Sequence, residues 1–469
     1  MKANGVSFAT IAELGRSLRA GEVTAVQLAE HFLARLESHG ERLGAVVRVT
    51  RDLALDQAAR ADRELARGID RGPLHGIPYG AKDLLATAGI PTSWGMAPLK
   101  DQVFDQDATV VRRLREAGAT LVAKLAMVEV AGGLGYRQAD ASFTGPGRTP
   151  WNTDRWSGGS SSGSGTAVAA GLVPFAIGSE TNGSIISPAS NCGITGLRPT
   201  YGLVSRHGAM ALSWTMDKLG PLARSAEDCG LVLSAIAGDD PLDASSAGRA
   251  FAFDPAAKDA GGPLRLATLR GAADHVQPAV KANFERALSS LTANASVEEV
   301  ELPRLPYAEV GRTLITCEMA AAFEPLLTSG AIHELTAEED RVGIQAALWI
   351  PAKDYINAMR IRPFIQRALD ALLAPFDALV VPARATVAPP IDRPFAAFAA
   401  GFHGTDIGSA ENVAGVPGIS LPTGFDDDGL PTSLQLVGRA FDEHRLLAVA
   451  RRYQTASDWH RAIPPAFTE

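Results

Sequence analysis

Ser157-Gly158-Gly159-Ser160-Ser161-Ser162-Gly163-Ser164-Gly165 is glycine and serine throughout. By composition alone such a run is a flexible linker. Its flanks argue against that. Trp151 and Trp156 precede it, and the small-residue stretch Ser161 to Gly171 and the apolar stretch Val173 to Ile177 follow directly. A linker is not walled in by core sequence, so the run is read as entering a helix that leads into a strand. The same logic holds upstream. Val110, Val111 and Leu114 mark a helix within Asp107 to Ala126, which passes through Ala117-Gly118-Ala119 into a strand over Thr120 to Ala123. A helix, a glycine turn and a strand form a unit of an α/β fold.

The remainder reads in the same style. Thr10-Ile11-Ala12-Glu13 and Thr24-Ala25-Val26-Gln27 are capping boxes that open amphipathic helices. Strands are expected at Ala45 to Val49, Leu264 to Leu269, Val297 to Glu301, Ala378 to Val381 and Ser433 to Val437. Helices are expected at Ser225 to Ala237, Lys353 to Leu373 and Asp442 to Ala456. Asp239 to Gly262, rich in Ala, Asp, Ser and Gly, reads as a loop. No internal repeat appears, and one continuous α/β unit over 1–469 is favoured over two domains.

Bulk composition narrows the function classes. The chain is 46% hydrophobic and 20% charged, the profile of a globular enzyme. No apolar stretch approaches the ~20 residues of a membrane span, and the N-terminus lacks a signal-peptide core. Three cysteines far apart suit neither a disulfide framework nor a cysteine metal site. A reducing cytoplasm is the expected setting. Net charge is −8 without a basic block, so no nucleic-acid partner is expected. Nine histidines show no metal-ligand spacing, and neither metal nor cofactor is expected.

Two catalytic readings of the Gly/Ser run are weak. Gly159-Ser160-Ser161-Ser162-Gly163 satisfies Gly-x-Ser-x-Gly, but that elbow needs a preceding strand, and Thr149 to Arg155 is polar and loop-like. It also needs a later histidine, for which His403 and His444 are the convenient offers. A phosphate loop would need a Gly-Lys-Ser/Thr ending that is absent. Lys82 is the better lead. Gly76-Ile77-Pro78-Tyr79-Gly80-Ala81 before it and Leu84-Leu85 after it predict burial. Burial lowers a lysine pKa, and moving it from about 10.4 to ~8 costs roughly 3 kcal/mol of folding energy. Such costs concentrate at active sites.

Taken together, these segments resemble the amidase signature family of serine hydrolases. The likeness runs from Gly76-Ile77-Pro78 and Lys82 through Gly158-Gly159-Ser160-Ser161, Gly183-Ser184-Ile185, Cys192-Gly193 and Gly196-Leu197-Arg198-Pro199-Thr200-Tyr201-Gly202. It continues through Leu219-Gly220-Pro221-Leu222-Ala223-Arg224, Asn412-Val413-Ala414-Gly415-Val416-Pro417 and Leu434-Gln435-Leu436-Val437-Gly438-Arg439. The pattern is closest to that of stand-alone bacterial amidases. The resemblance implies a large, mixed, twisted β-sheet covered by helices on both faces, with a signature core over about 70–235 and a variable pocket region over about 305–400. It makes Lys82 the base, Ser160 the bridging serine after a cis peptide bond, and Ser184 the nucleophile. The backbone N–H groups of Thr181, Asn182, Gly183 and Ser184 would form the oxyanion hole. Met127 and Val130 would bind substrate.

Three positions depart from the family's usual Asp-x-Gly-Gly-Ser-Ile-Arg. Asn182 replaces a glycine. Ile186 removes a positive charge near the nucleophile, and Glu180 lengthens the acid, so these two changes read as compensating. The expected activity is a stand-alone amidohydrolase of small organic amides, with esters, anilides or carbamates as further substrates and a homodimer as the default assembly. The alternative is the A subunit of a glutamyl-tRNA amidotransferase, which takes ammonia from glutamine within a complex. A catalytically silent binding protein on this scaffold is a third reading, disfavoured by the presence of all three residues. By family analogy the acyl pocket lies near residues 127–135 and 317–355. Phe323, Leu348, Trp349, Ile350 and Tyr355 there point either to a hydrophobic or aryl substrate or, equally, to packing of the core.

Overall fold

Strand β4 (Phe175–Glu180) is buried at every residue, and its side chains divide between two cores. Phe175 and Ile177 join one apolar cluster and Ala176 another. Side chains alternate across a strand, so a strand apolar on both faces has to sit inside a sheet with helices on either side. The computed structural model, which describes residues 3–132, 136–256, 262–292 and 295–468, shows that arrangement.

The other strands are β1 (Val46–Val49), β2 (Pro78–Lys82), β3 (Thr120–Leu125), β5 (Thr195–Arg198), β6 (Lys218–Ala223), β7 (Leu264–Leu269), β8 (Ala295–Val300), β9 (Ala378–Pro382), β10 (Gly418–Phe425) and β11 (Pro431–Val437). Together with β4 they form one 11-stranded sheet in the order β1-β3-β2-β4-β6-β5-β10-β11-β9-β7-β8. The sheet is mixed: β2 runs parallel to β3 and β4, β7 runs parallel to β8 and β9, and the remaining pairs are antiparallel. One face packs against helices Ile11–Arg19, Thr109–Glu116, Ala226–Ile236 and Glu443–Ala456. Helices Ser162–Ala169 and Ile186–Cys192 cover the opposite side of β4. Helices Tyr307–Ala322, Ala352–Leu373 and Ile407–Ala414 pack on Leu379 and Val381 of β9, whose Val380 faces the first core.

The β-branched and apolar strands lie where the sequence predicts them. Both capping boxes form, with the Thr10 and Thr24 side chains accepting from the backbone of Glu13 and Gln27. Four strands were not expected: β2, β5, β6 and β10 carry Gly or Pro, which suppress the strand signal. The strand predicted over Val173 to Ile177 begins and ends later, so Ser179 and Glu180 belong to β4 rather than to a loop. The predicted loop Asp239 to Gly262 holds no strand or helix over 239–256 and residue 262, and 257–261 lie outside the described residues. No helix is long and apolar enough to cross a membrane among the described residues.

Candidate active site

Strands β2 and β4 are parallel neighbours with Ala81 beside Ile177, so their carboxyl ends meet at one edge of the sheet. Open α/β sheets bind ligands at such edges. Lys82 closes β2 there, fully buried. Its Nζ lies 2.7 Å from Ser160 Oγ, 3.0 Å from Ser161 Oγ and 2.9 Å from Ser179 Oγ. The Ser161 hydroxyl donates to Ser179 O at 3.1 Å, so toward Lys82 it acts as acceptor. An uncharged amine has two N–H donors and one lone pair. Donation to Ser161 and Ser179 leaves that lone pair for Ser160, the closest of the three. Burial pulls the Lys82 pKa down to about 7, while the Asp217 and Glu180 carboxylates act the other way. This arrangement can withdraw a proton from a serine hydroxyl at neutral pH.

The Gly/Ser run that carries Ser160 is buried throughout. Gly159-Ser160 is a cis peptide bond. Ser161 caps helix Ser162–Ala169, and no strand precedes it, so the elbow reading has no structural footing. His403 stacks on His275 and His444 on Phe251, each occupied away from the serines.

Ser184 stands just before helix Ile186–Cys192 and is 8% exposed, accessible from a cavity. Its carbonyl accepts from the Ser161 N–H at 3.4 Å, which ties the two serine segments together. Among the described residues, the backbone N–H groups of Thr181, Asn182, Gly183 and Ser184 take no partner. Gly183 has φ +85°, while Asn182 keeps a negative φ and needs no glycine-like conformation.

That segment is pinned from three directions. Glu180 Oε2 accepts from the N–H of Ile185 at 2.8 Å and of Ile186 at 3.0 Å, and its Oε1 accepts from Arg198. Thr181 Oγ1 donates to Asp217 at 2.6 Å, and Lys218 Nζ donates to Thr181 O at 3.3 Å. Burial lowers the Lys218 pKa to about 7. Sequence reading missed Ser179, Asp217, Arg198 and Lys218 as neighbours of the site. For Ser179 a signal existed: it lies in the glycine-bounded segment Gly178 to Gly183, two residues from Ile177.

Two adjoining cavities share Ala131, Thr181 and Leu212 as lining. One of about 570 Å³ includes Ser179, Arg206, Trp214 and Asp217. The other, of about 250 Å³, includes Ser184, Asn182, Tyr136, Arg312, Thr316 and Ser409. The structure sets Met127 and Val130 in the apolar core, and neither lines these two cavities. Their neighbours Ala131 and Gly132 do, and 133–135 lie outside the described residues. The predicted apolar wall is likewise elsewhere. Phe323 is buried in the core, Leu348 and Trp349 are exposed, and Tyr355 donates to Glu318. Polar residues predominate around Ser184, while the adjoining larger cavity is lined mainly by apolar and aromatic residues, among them Leu84, Tyr201, Met210, Trp214 and Leu219, none of which the sequence singled out for the pocket. No group of three or more His, Cys, Asp or Glu is placed to hold a metal ion among the described residues.

Comparison with known proteins bears on this geometry. The Amidase family model matches residues 27–447. The A subunit of the Glutamyl-tRNA(Gln) amidotransferase of Thioalkalivibrio sulfidiphilus is 38% identical, covering 98% of this chain and 99% of that one, and further relatives at 35–38% carry the same name. Among solved structures, the peptide amidase of Stenotrophomonas maltophilia superposes with a TM-score of 0.83 at 33% identity, over 98% of this chain and 99% of that one. The corresponding amidotransferase A subunit of Thermotoga maritima superposes with a TM-score of 0.77 at 27% identity, over 96% and 95%. These amidotransferase relatives overturn the expectation of a stand-alone hydrolase of small organic amides. They equally overturn the expectation of a small molecule as sole partner, with no nucleic acid and a homodimer. With the family model matching nearly its whole length, this chain belongs to the amidase family, enzymes acting on the C–N bonds of amides.

Proposed function

We propose that this chain is the glutamine-hydrolysing A subunit of a glutamyl-tRNA amidotransferase, releasing ammonia for partner subunits that act on tRNA-borne glutamate. The single observation that carries the chemistry is the buried Lys82 amine, held among three serine hydroxyls with its pKa drawn to about 7. The near-full-length likeness to amidotransferase A subunits supports the biological setting.

In this reading neutral Lys82 accepts the Ser160 proton as Ser160 Oγ accepts that of Ser184. Ser184 Oγ then attacks the side-chain amide carbon of glutamine. The unpartnered N–H groups of Thr181 to Ser184 receive the oxyanion, and pre-aimed donors of this kind are worth about 3–4 kcal/mol each. The relay returns a proton to the amide nitrogen, the C–N bond breaks and ammonia leaves. Water then attacks the acyl-Ser184 ester, releasing glutamate and restoring the hydroxyl.

The test is glutamate release from glutamine by the purified chain, followed by the same assay with co-expressed B and C subunits and glutamyl-tRNA. Glutamine-dependent formation of glutaminyl-tRNA, lost in Ser184→Ala, is the expected result. Absence of glutamine turnover both alone and in the complex would overturn the reading.

A further inference from the structure

Arg312 lies on helix Tyr307–Ala322, which presents Ala308, Arg312, Ile315 and Thr316 to the cavity that holds Ser184. Those positions are three and four residues apart, one face of a helix. Arg312 is the only charged residue lining that cavity among the described residues, and no carboxylate pairs with it there. Glu309, three residues earlier on the same helix, makes no ion pair with Arg312, and two further acids of this region are engaged elsewhere. Glu318 accepts from Ser213, Thr215 and Tyr355, and Asp217 accepts from Thr181, Leu212 and Ser213. Arg362, the next arginine along this layer, donates to Val413 O and to Thr215 O. An exposed guanidinium without a protein partner, lining the same cavity as Ser184 and several hydroxyl and amide groups, is a receptor for an anion.

We infer that Arg312 selects the substrate by binding a carboxylate on the acyl side of the scissile amide. The planar fork of a guanidinium matches a carboxylate through two parallel N–H···O bonds. At about 250 Å³ the cavity beside Ser184 and Arg312 holds an acyl group of a few carbons, and the adjoining cavity of about 570 Å³ leaves room for a larger substituent beyond it. This deepens the reading of Ser184 as nucleophile and rests on it, but it does not require glutamine itself to be the substrate.

The probes are glutaramate and pentanamide, primary amides on the same five-carbon chain that differ in a terminal carboxylate against a methyl. Binding is titrated calorimetrically to Ser184→Ala, so that no turnover is needed. Glutaramate is expected to bind about 10- to 100-fold more tightly than pentanamide, and Arg312→Gln on that background to erase the difference. Arg312→Lys should recover part of it. In the active protein, Arg312→Gln should raise KM for glutaramate by a similar factor with kcat held. Equal affinity for the two amides, no glutaramate binding, or an equal effect of Arg312→Gln on both would overturn the inference. A glutaramate preference without glutamine turnover would sustain it while sinking the glutaminase reading.

Discussion

Arg198 Nη1 donates to Glu180 Oε1 at 2.8 Å, with both side chains fully buried. The same nitrogen lies 2.9 Å from Glu411 Oε1, and Gln435 donates to both oxygens of Glu411. With isoleucine at position 186, the positive charge that pairs with Glu180 comes from β5. The longer Glu180 side chain reaches it while still capping the helix that follows Ser184.

This pair makes a stability prediction. Removing one member of a buried ion pair strands the other, at about 3–5 kcal/mol. Arg198→Met should lower the melting temperature at pH 7 markedly. Burial alone would raise the Glu180 pKa, but Arg198 and Lys218 outweigh it and bring it down to about 2 from 4.5. A carboxylate depressed on folding stabilises above its unfolded pKa, and that contribution drains away as pH falls from about 4.5 toward 2. Acid unfolding of Arg198→Met should begin at higher pH than in the parent. Coincident acid transitions would count against the pairing.

In the proposed relay, Lys82 sets the pH dependence of catalysis. Its amine is active only when neutral, and burial leaves its pKa near 7. kcat/KM should climb with pH through about 7 and level off above, losing about tenfold per pH below. Lys82→Ala should abolish turnover, and Lys82→Arg should not restore it, because arginine does not deprotonate. A rate already flat at pH 6 would exclude Lys82 as the base.

Serine replacements sort the hydroxyls. Ser160→Ala and Ser184→Ala should cost at least ~10³-fold in kcat. Ser161→Ala should cost about tenfold, since Ser161 orients the Lys82 amine without facing the cavity. His403→Ala and His444→Ala should leave the rate intact, and a collapse in either would revive a histidine-based mechanism.

Gly159 tests packing beside Ser160. A Cβ there would come within 2.8 Å of Trp156 Cζ2, Tyr136 Oη and Val128 Cγ2. Gly159→Ala should destabilise the protein by about 1–3 kcal/mol and lower kcat. Denaturant unfolding with an unchanged midpoint would show that those side chains yield freely.

The α/β class and the central apolar strands were legible because burial on both faces leaves continuous hydrophobic runs, as at Ala378–Pro382. Strands β2 and β6 were not, since Pro78, Gly80, Gly220 and Pro221 read as turns until neighbouring strands supply their hydrogen bonds. The polar cavity beside Ser184 was illegible for a different reason. Arg312, Thr181 and Ser409 come from segments far apart in the chain, and no local pattern links them.

Residue order alone was enough to set the chemical types near the site: a lysine between apolar runs, and serines in glycine-rich turns where the backbone is free to bend. The basicity of that lysine is another matter. It comes from desolvation, and desolvation exists only once β2, β4 and the Ser157–Gly165 segment close around the amine and exclude water.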